Sequence, residues 1–267
     1  MKNIITFLSI IILLTSCNKK LTREDVDALI AEAKAKNKKV DLQGVDLIGV
    51  DLTGVDLRKA DLKEANLWEA NLTRASLQGA DLTGAKLAKA NLEGANLEGA
   101  ILFEKGADPA VLYSFNLRNA KLKGVDLTDA KFLSVDLTGA ILQGANLTGI
   151  DLTGIDLTGA DLTNVESIDA KLIGTDLTGA ILENANLFRA DLTGAILQGA
   201  DLTGAGLFDA NLTNANLTGA NLEKAFLQGA NLTRANLTGA NLEKAFLKRA
   251  ILTGADLTGA DLTGVSL

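Results

Sequence analysis

The segment "TGANLEKAFL" occupies residues 218–227 and returns unchanged at residues 238–247. The two copies start 20 residues apart, and inside each copy Leu recurs after five. The five-residue spacing extends far beyond them. Every fifth position from Leu42 to Leu267 gives 46 positions, of which 43 are Leu; the exceptions are Ala107, Phe132 and Ser167. Two residues before each Leu sits a small apolar residue, usually Ala, as at Ala60, Ala65, Ala70 and Ala80, with Val40, Val45, Val50 and Val55 at the N-terminal end. The slot before the Leu is mostly Asp or Asn, and the two after it are often Thr then Gly.

A period of five suits no straight element. On a helix of 3.6 residues per turn, successive Leu would lie about 140° apart and form no stripe, and Gly at this density would cost about 1 kcal/mol each relative to Ala. A flat strand alternates with period two, which an odd repeat breaks. The pattern fits a chain that turns a corner every five residues. Leu and the residue two before it point inward together, and a Thr-Gly pair makes the corner, Gly tolerating positive φ. Exact recurrence after 20 residues points to four words per coil, although tandem duplication can copy any multiple of five.

The words "ADLTG", "ANLTG", "ANLEK" and "AILQG" resemble the A(D/N)LXX pattern of pentapeptide-repeat proteins over residues 40–267. The resemblance implies an all-β solenoid, a right-handed quadrilateral β-helix. With coils about 4.8 Å apart, the rod would be about 55 Å long. Such a solenoid is held by contacts between neighbouring coils, and each buried Leu contributes roughly 1.5–3 kcal/mol.

Residues 1–16 read as a signal peptide: Lys2, then an apolar stretch from Ile4 to Leu14, shorter than the ~20 residues of a transmembrane helix. Leu14-Thr15-Ser16-Cys17 resembles the bacterial lipobox, which implies cleavage between Ser16 and Cys17 and lipidation of Cys17, the sole Cys. Asn18 follows, where Asp would imply inner-membrane retention, so the expected location is the cell envelope, with the outer membrane ahead of the inner. Residues 17–39 then form the linker and a short helix over about 23–36. Thr22 is its N-cap, Val26, Leu29, Ile30 and Ala33 its apolar face, and Lys34, Lys36, Lys38 and Lys39 gather at its C-terminal end. Its expected task is to cap the first coil; the alternative is docking a partner.

The period is disturbed at "FEKGADPAVLYSF", residues 103–115. Lys105 takes an Ala slot, Pro109 cannot donate a hydrogen bond, and Tyr113 is the sole Tyr. With Asp108 these mark a candidate loop, either about ten residues extruded or two bulged words. Phe132 is expected to fill the core and Ser167 to loosen it.

No catalytic constellation is legible. There is no His, and no cofactor or metal motif rises above the repeated Asp lattice. The net charge of −7 is concentrated in residues 132–222, where eleven acids face Lys171 and Arg189. Asp136, Asp151, Asp156, Asp161, Glu166, Asp169 and Asp176 head this candidate acidic interaction band. An acidic rod should repel nucleic acid; it could instead imitate it. One branch of the resembling family does so toward DNA gyrase, but the export signal points away from the cytosol. The bland alternative is a solvated face that keeps the rod soluble. Outward Phe226 and Phe246 should stack on adjacent coils, and Ile101, Ile141 and Ile181 recur at multiples of 20, as ladder packing or a contact patch. The reading is therefore a lipid-anchored envelope rod without enzymatic activity that binds an unidentified protein. Its C-terminal coil is expected to be covered by a second copy, end to end, because an open coil is an edge hazard.

Overall fold

The computed structural model describes residues 20–103, 111–113, 116–128, 130–133 and 135–267. Ser16, Cys17, Lys105, Asp108 and Pro109 lie outside the described residues, and Tyr113 is described through its backbone. The chain winds as a parallel four-sided coil. Asp41 pairs with Asp61, Asp61 with Asp81, Asp46 with Asn66 and Asp51 with Asn71, and the 20-residue rung, broken once near residue 100, runs on to Phe246 and Ser266.

One word, residues 201–205, explains the repeat through its hydrogen bonds. Asp201 N–H donates to Ala180 O on the preceding coil (2.9 Å), while Leu202 N–H and Gly204 N–H donate to Asn221 O and Glu223 O on the following coil (2.7 and 2.9 Å). Ala205 N–H closes the corner onto Leu202 O (3.0 Å). The fifth donor, Thr203 N–H, has no carbonyl within reach of this pattern, and Asp201 Oδ1 accepts it at 3.0 Å. Asp or Asn before the Leu is thus an Asx cap that completes the backbone pairing of its own word. The corner needs a left-handed residue, met by Gly204 at φ 65° and, under strain, by Arg74 and Lys244 at φ 56° and 58°.

Leu and Ala fill the coil. Leu187, Leu192, Leu197 and Leu202 are wholly buried, as are Ala185, Ala190, Ala195 and Ala200. Phe132 takes a Leu slot and is buried, and Ser167 replaces a Leu there. Thr175 replaces an Ala, and its hydroxyl donates to Leu152 O at 2.7 Å, which removes the penalty of burying it.

Helix α1, Arg23–Ala35, closes the N-terminal end. Thr22 accepts from Asp25 N–H, and the Asp25 carboxylate accepts from Thr22 N–H (3.2 and 2.8 Å), a complete capping box. Val26, Ile30 and Ala33 are buried in the core of the first coils. Leu21 N–H extends the ladder to Asp46 O (2.9 Å). The Arg23 guanidinium reaches Thr53 O (3.0 Å), and Lys34 pairs with Asp56 (3.2 Å).

The irregular stretch is smaller than the sequence suggests. Asn91 pairs with Asn116 and Asn96 with Lys121, 25 residues on rather than 20. This coil therefore carries one word too many. Short strands β1, Val111–Tyr113, and β2, Lys131–Leu133, pair in parallel at the normal 20-residue offset, so the chain is back in the ladder by Val111, not after residue 115. The same slip corrects the expected Ile column. Ile101 pairs with Asp81, whereas Ile141 and Ile181 flank Asp161 on a different side of the coil.

Candidate interaction surface

Inward positions are uniform, so recognition must rest on the outward slots: the one before each Leu, and the two at the corner after it. The pairing order stacks these slots into columns along the rod.

The seven expected acidic residues do not form one face. Asp136, Asp156 and Asp176 are consecutive rungs of one side. Asp151 lies on a second side, 3.8 Å from Lys171. Asp161 lies on a third, accepting from the Gln143 carboxamide at 2.7 Å. Glu166 lies on the fourth, accepting from Asn186 at 2.8 Å. Asp169 is at a corner, held by Arg189 (Nε to Oδ1, 2.7 Å). The acids ring the rod. Most of them are also engaged as caps: Asp136, Asp151, Asp156, Asp161 and Asp176 each accept the N–H of the Thr two residues on, at 2.9–3.2 Å. The Thr158 N–H, against partial desolvation, holds the Asp156 carboxyl below the usual range. The Arg189 guanidinium does the same for Asp169. Among the described residues no group of three or more His, Cys, Asp or Glu is placed to hold a metal ion, and no helix is long and apolar enough to cross a membrane.

The expected Phe stack is present and longer than anticipated. Phe226 and Phe246 rings are 5.0 Å apart and nearly parallel, and Phe208 stacks on Phe226 at 5.5 Å. Phe208 comes from a corner slot. It joins the stack because Gly206, the rung beneath Phe226, has no side chain and leaves its place beside the Phe208 ring. Phe208 and Phe246 remain 38 % and 36 % exposed. Beside this ladder is a cavity of about 340 Å³ lined by Phe208, Asp209, Gln228, Gly229, Lys248 and Arg249. Sequence reasoning counted Asp209 among the acids of residues 132–222 and missed the other five. The available signal was the word Ala205-Gly-Leu-Phe-Asp209, with Gly where Asp or Asn belongs and Phe where Thr belongs. A second exposed aromatic, Trp68, sits at another corner with Lys89 Nζ 5.2 Å from its ring centroid.

Comparison with solved structures finds HetL, a pentapeptide repeat protein involved in heterocyst differentiation regulation in the cyanobacterium Nostoc sp. strain PCC 7120. It is 35 % identical over 88 % of this chain and 94 % of its own, with a TM-score of 0.37. QnrB1, a plasmid-mediated fluoroquinolone resistance protein, is 20 % identical over 72 % of this chain and 93 % of its own, with a TM-score of 0.44. A pentapeptide repeat protein of the Arabidopsis thaliana thylakoid lumen is 38 % identical over 45 % of this chain and 70 % of its own, with a TM-score of 0.30. The comparison with curated proteins found no match. The sequence profile "Pentapeptide repeats" matches in 8 copies, over residues 40–79, 65–102, 110–149, 140–184, 168–204, 210–248 and 230–267. The matches pass over the extra word and over residues 205–209, the two places where the coil departs from its rule. With the five-residue word, the 20-residue rung and these matches in agreement, the chain belongs to the pentapeptide repeat family.

Proposed function

We propose that the protein is a non-enzymatic binding rod for another protein, held at the bacterial cell envelope by a lipid on Cys17, at the outer membrane rather than the inner. The observation that carries the binding reading is the division of labour within the word. Leu and Ala build the core and Asp or Asn completes the backbone pairing, so the large apolar residues at outward slots are surplus to the fold. Phe208, Phe246 and Trp68 are such residues, and exposed aromatic side chains are the usual anchors of protein interfaces. The winding is taken as right-handed, the hand of nearly all parallel β crossovers. Anchoring is tested by labelling cells with palmitate: the wild type takes up label and Cys17→Ala does not, and an unlabelled wild type refutes the anchor. Binding is tested by crosslinking in intact envelopes; a rod that forms no crosslink to any protein sinks that reading.

The C-terminal coil supports an end-to-end pair of copies. Leu262 is 47 % and Leu267 85 % exposed, and Leu252 and Leu257 are only partly covered. Light scattering of the purified protein at high micromolar concentration should give twice the monomer mass, and Leu262→Lys should halve it.

A second reading, an acidic rod that imitates nucleic acid toward a topoisomerase, draws on the Asp136–Asp156–Asp176 column. A supercoiling assay with micromolar protein tests it, and unchanged topoisomer distributions end it.

A further inference from the structure

At a regular word the oxygen of Asp or Asn accepts the N–H two residues on. Along the corner beside the Phe ladder this holds for Thr148, capped by Asn146 (3.1 Å), and for Phe188, capped by Asn186 (3.3 Å). The rung between them, Glu166, gives Ile168 no such cap, and above Phe188 the cap is missing for three successive coils. Gly206, Phe226 and Phe246 occupy the capping slot and bring no oxygen. The N–H groups of Phe208, Gln228 and Lys248 are consequently left without an acceptor among the described residues. These three donors stack one above the other, one coil (about 4.8 Å) apart, and the residues that bear them line the 340 Å³ cavity.

The charges around them have the matching sign. Lys248 and Arg249 line the cavity, and among the described residues neither forms a salt bridge with a carboxylate, unlike Arg189 below, which is committed to Asp169. One acid opposes them: Asp209 leans over Gly229, where a Cβ would meet its Oδ1 at 2.1 Å, and its field falls on Arg189. Two cations and three unmet N–H donors outweigh that single carboxylate, and a missing Asx oxygen is best replaced by another carboxylate, which a guanidinium and backbone N–H groups grip together.

We infer that this corner is a carboxylate-binding site that takes an acidic side chain of the partner protein, standing in for the caps that Gly206, Phe226 and Phe246 omit. The inference rests on the protein-binding reading. The neighbouring rings favour a protein segment over a phosphate group: Phe226 and Phe246 run alongside, and Phe246 is 36 % exposed and gains apolar cover from a peptide but not from phosphate.

The test restores the caps. Phe226→Asn and Phe246→Asn return the capping slot to the family pattern, so the variant keeps its fold while its Gln228 and Lys248 N–H groups become occupied. The ¹⁵N-labelled full chain in detergent micelles is titrated with a synthetic peptide of alternating Glu and Leu, with its Lys/Leu counterpart, and with inorganic phosphate. Saturable movement of the Phe208, Gln228 and Lys248 amide signals with the Glu/Leu peptide, weakened at least tenfold in the double variant and in Lys248→Glu/Arg249→Glu, is the expected result. Unmoved amides at millimolar peptide, or an equal response to phosphate, overturns it. Envelope crosslinking separates the two layers: equal crosslinking by wild type and double variant refutes this site and spares the rod reading, while no crosslinking by either refutes both.

Discussion

At the scale of the residue, the Asp or Asn of each word is a hydrogen-bond acceptor before it is a charge. Thr203 N–H depends on Asp201 Oδ1, and the Thr203 hydroxyl donates to the same oxygen. Asp201→Ala should therefore cost about 1 kcal/mol in urea denaturation, while Asp201→Asn, which keeps the acceptor, should stay near wild type. The Thr hydroxyl and N–H also hold the carboxyls of Asp51, Asp256 and Asp261 below their usual range. A carboxyl whose folded pKa is depressed contributes stability above its unfolded pKa, about 3.9, and loses it as pH falls through the folded value. The melting temperature should stay level from pH 7 to about pH 5 and fall below about pH 4; a drop already complete at pH 6 would contradict the assignment. This role of Asp was not legible from the sequence, because a column of Asp reads as charge until the partner of each N–H is known. The inward Leu and Ala were fully legible, since a core position leaves its period in the sequence.

At the scale of the element, α1 and the extra word are the two departures from the repeat. The helix was legible from Thr22 and the spacing of Val26, Leu29, Ile30 and Ala33, of which Leu29 is partly buried and the other three are buried. Thr22→Ala removes half of the capping box and should cost about 1 kcal/mol, seen as faster amide exchange in α1 and the first coil and not in coils beyond residue 150. The disturbance at 103–115 was legible as a fault but not as a count. Its phase in fives survives intact, and only the pairing of Asn91 with Asn116 reveals that a single word is surplus. Deleting residues 106–110 should leave a coil of four words and shift the melting temperature by less than about 4 °C; a collapse in stability would mean that the word belongs to the ladder.

At the scale of the whole molecule, each coil touches only its neighbours, so stability is a sum of local terms. Leu187 lies in the middle of the rod and is wholly buried. Leu187→Ala should cost about 2–5 kcal/mol, concentrated in adjoining coils, so the urea transition should broaden rather than merely move. The Phe226–Phe246 stack was legible from its 20-residue spacing, but the ring of acids and the cavity beside the stack were not legible as surfaces in the linear chain. Which side a residue faces depends on the word count modulo four, and one surplus word upsets that count for every residue beyond it.

That dependence makes orientation a matter of counting. One more word absorbed into an ordinary coil between α1 and Gly206 would turn the Phe ladder and its cavity a quarter turn about the rod axis relative to the N-terminal end, with each local contact preserved. Four such words would bring it back, one coil higher. The rod thus behaves as a dial with four stops, on which the bearing of a surface can be reset by duplication or loss of five residues without redesigning the surface itself.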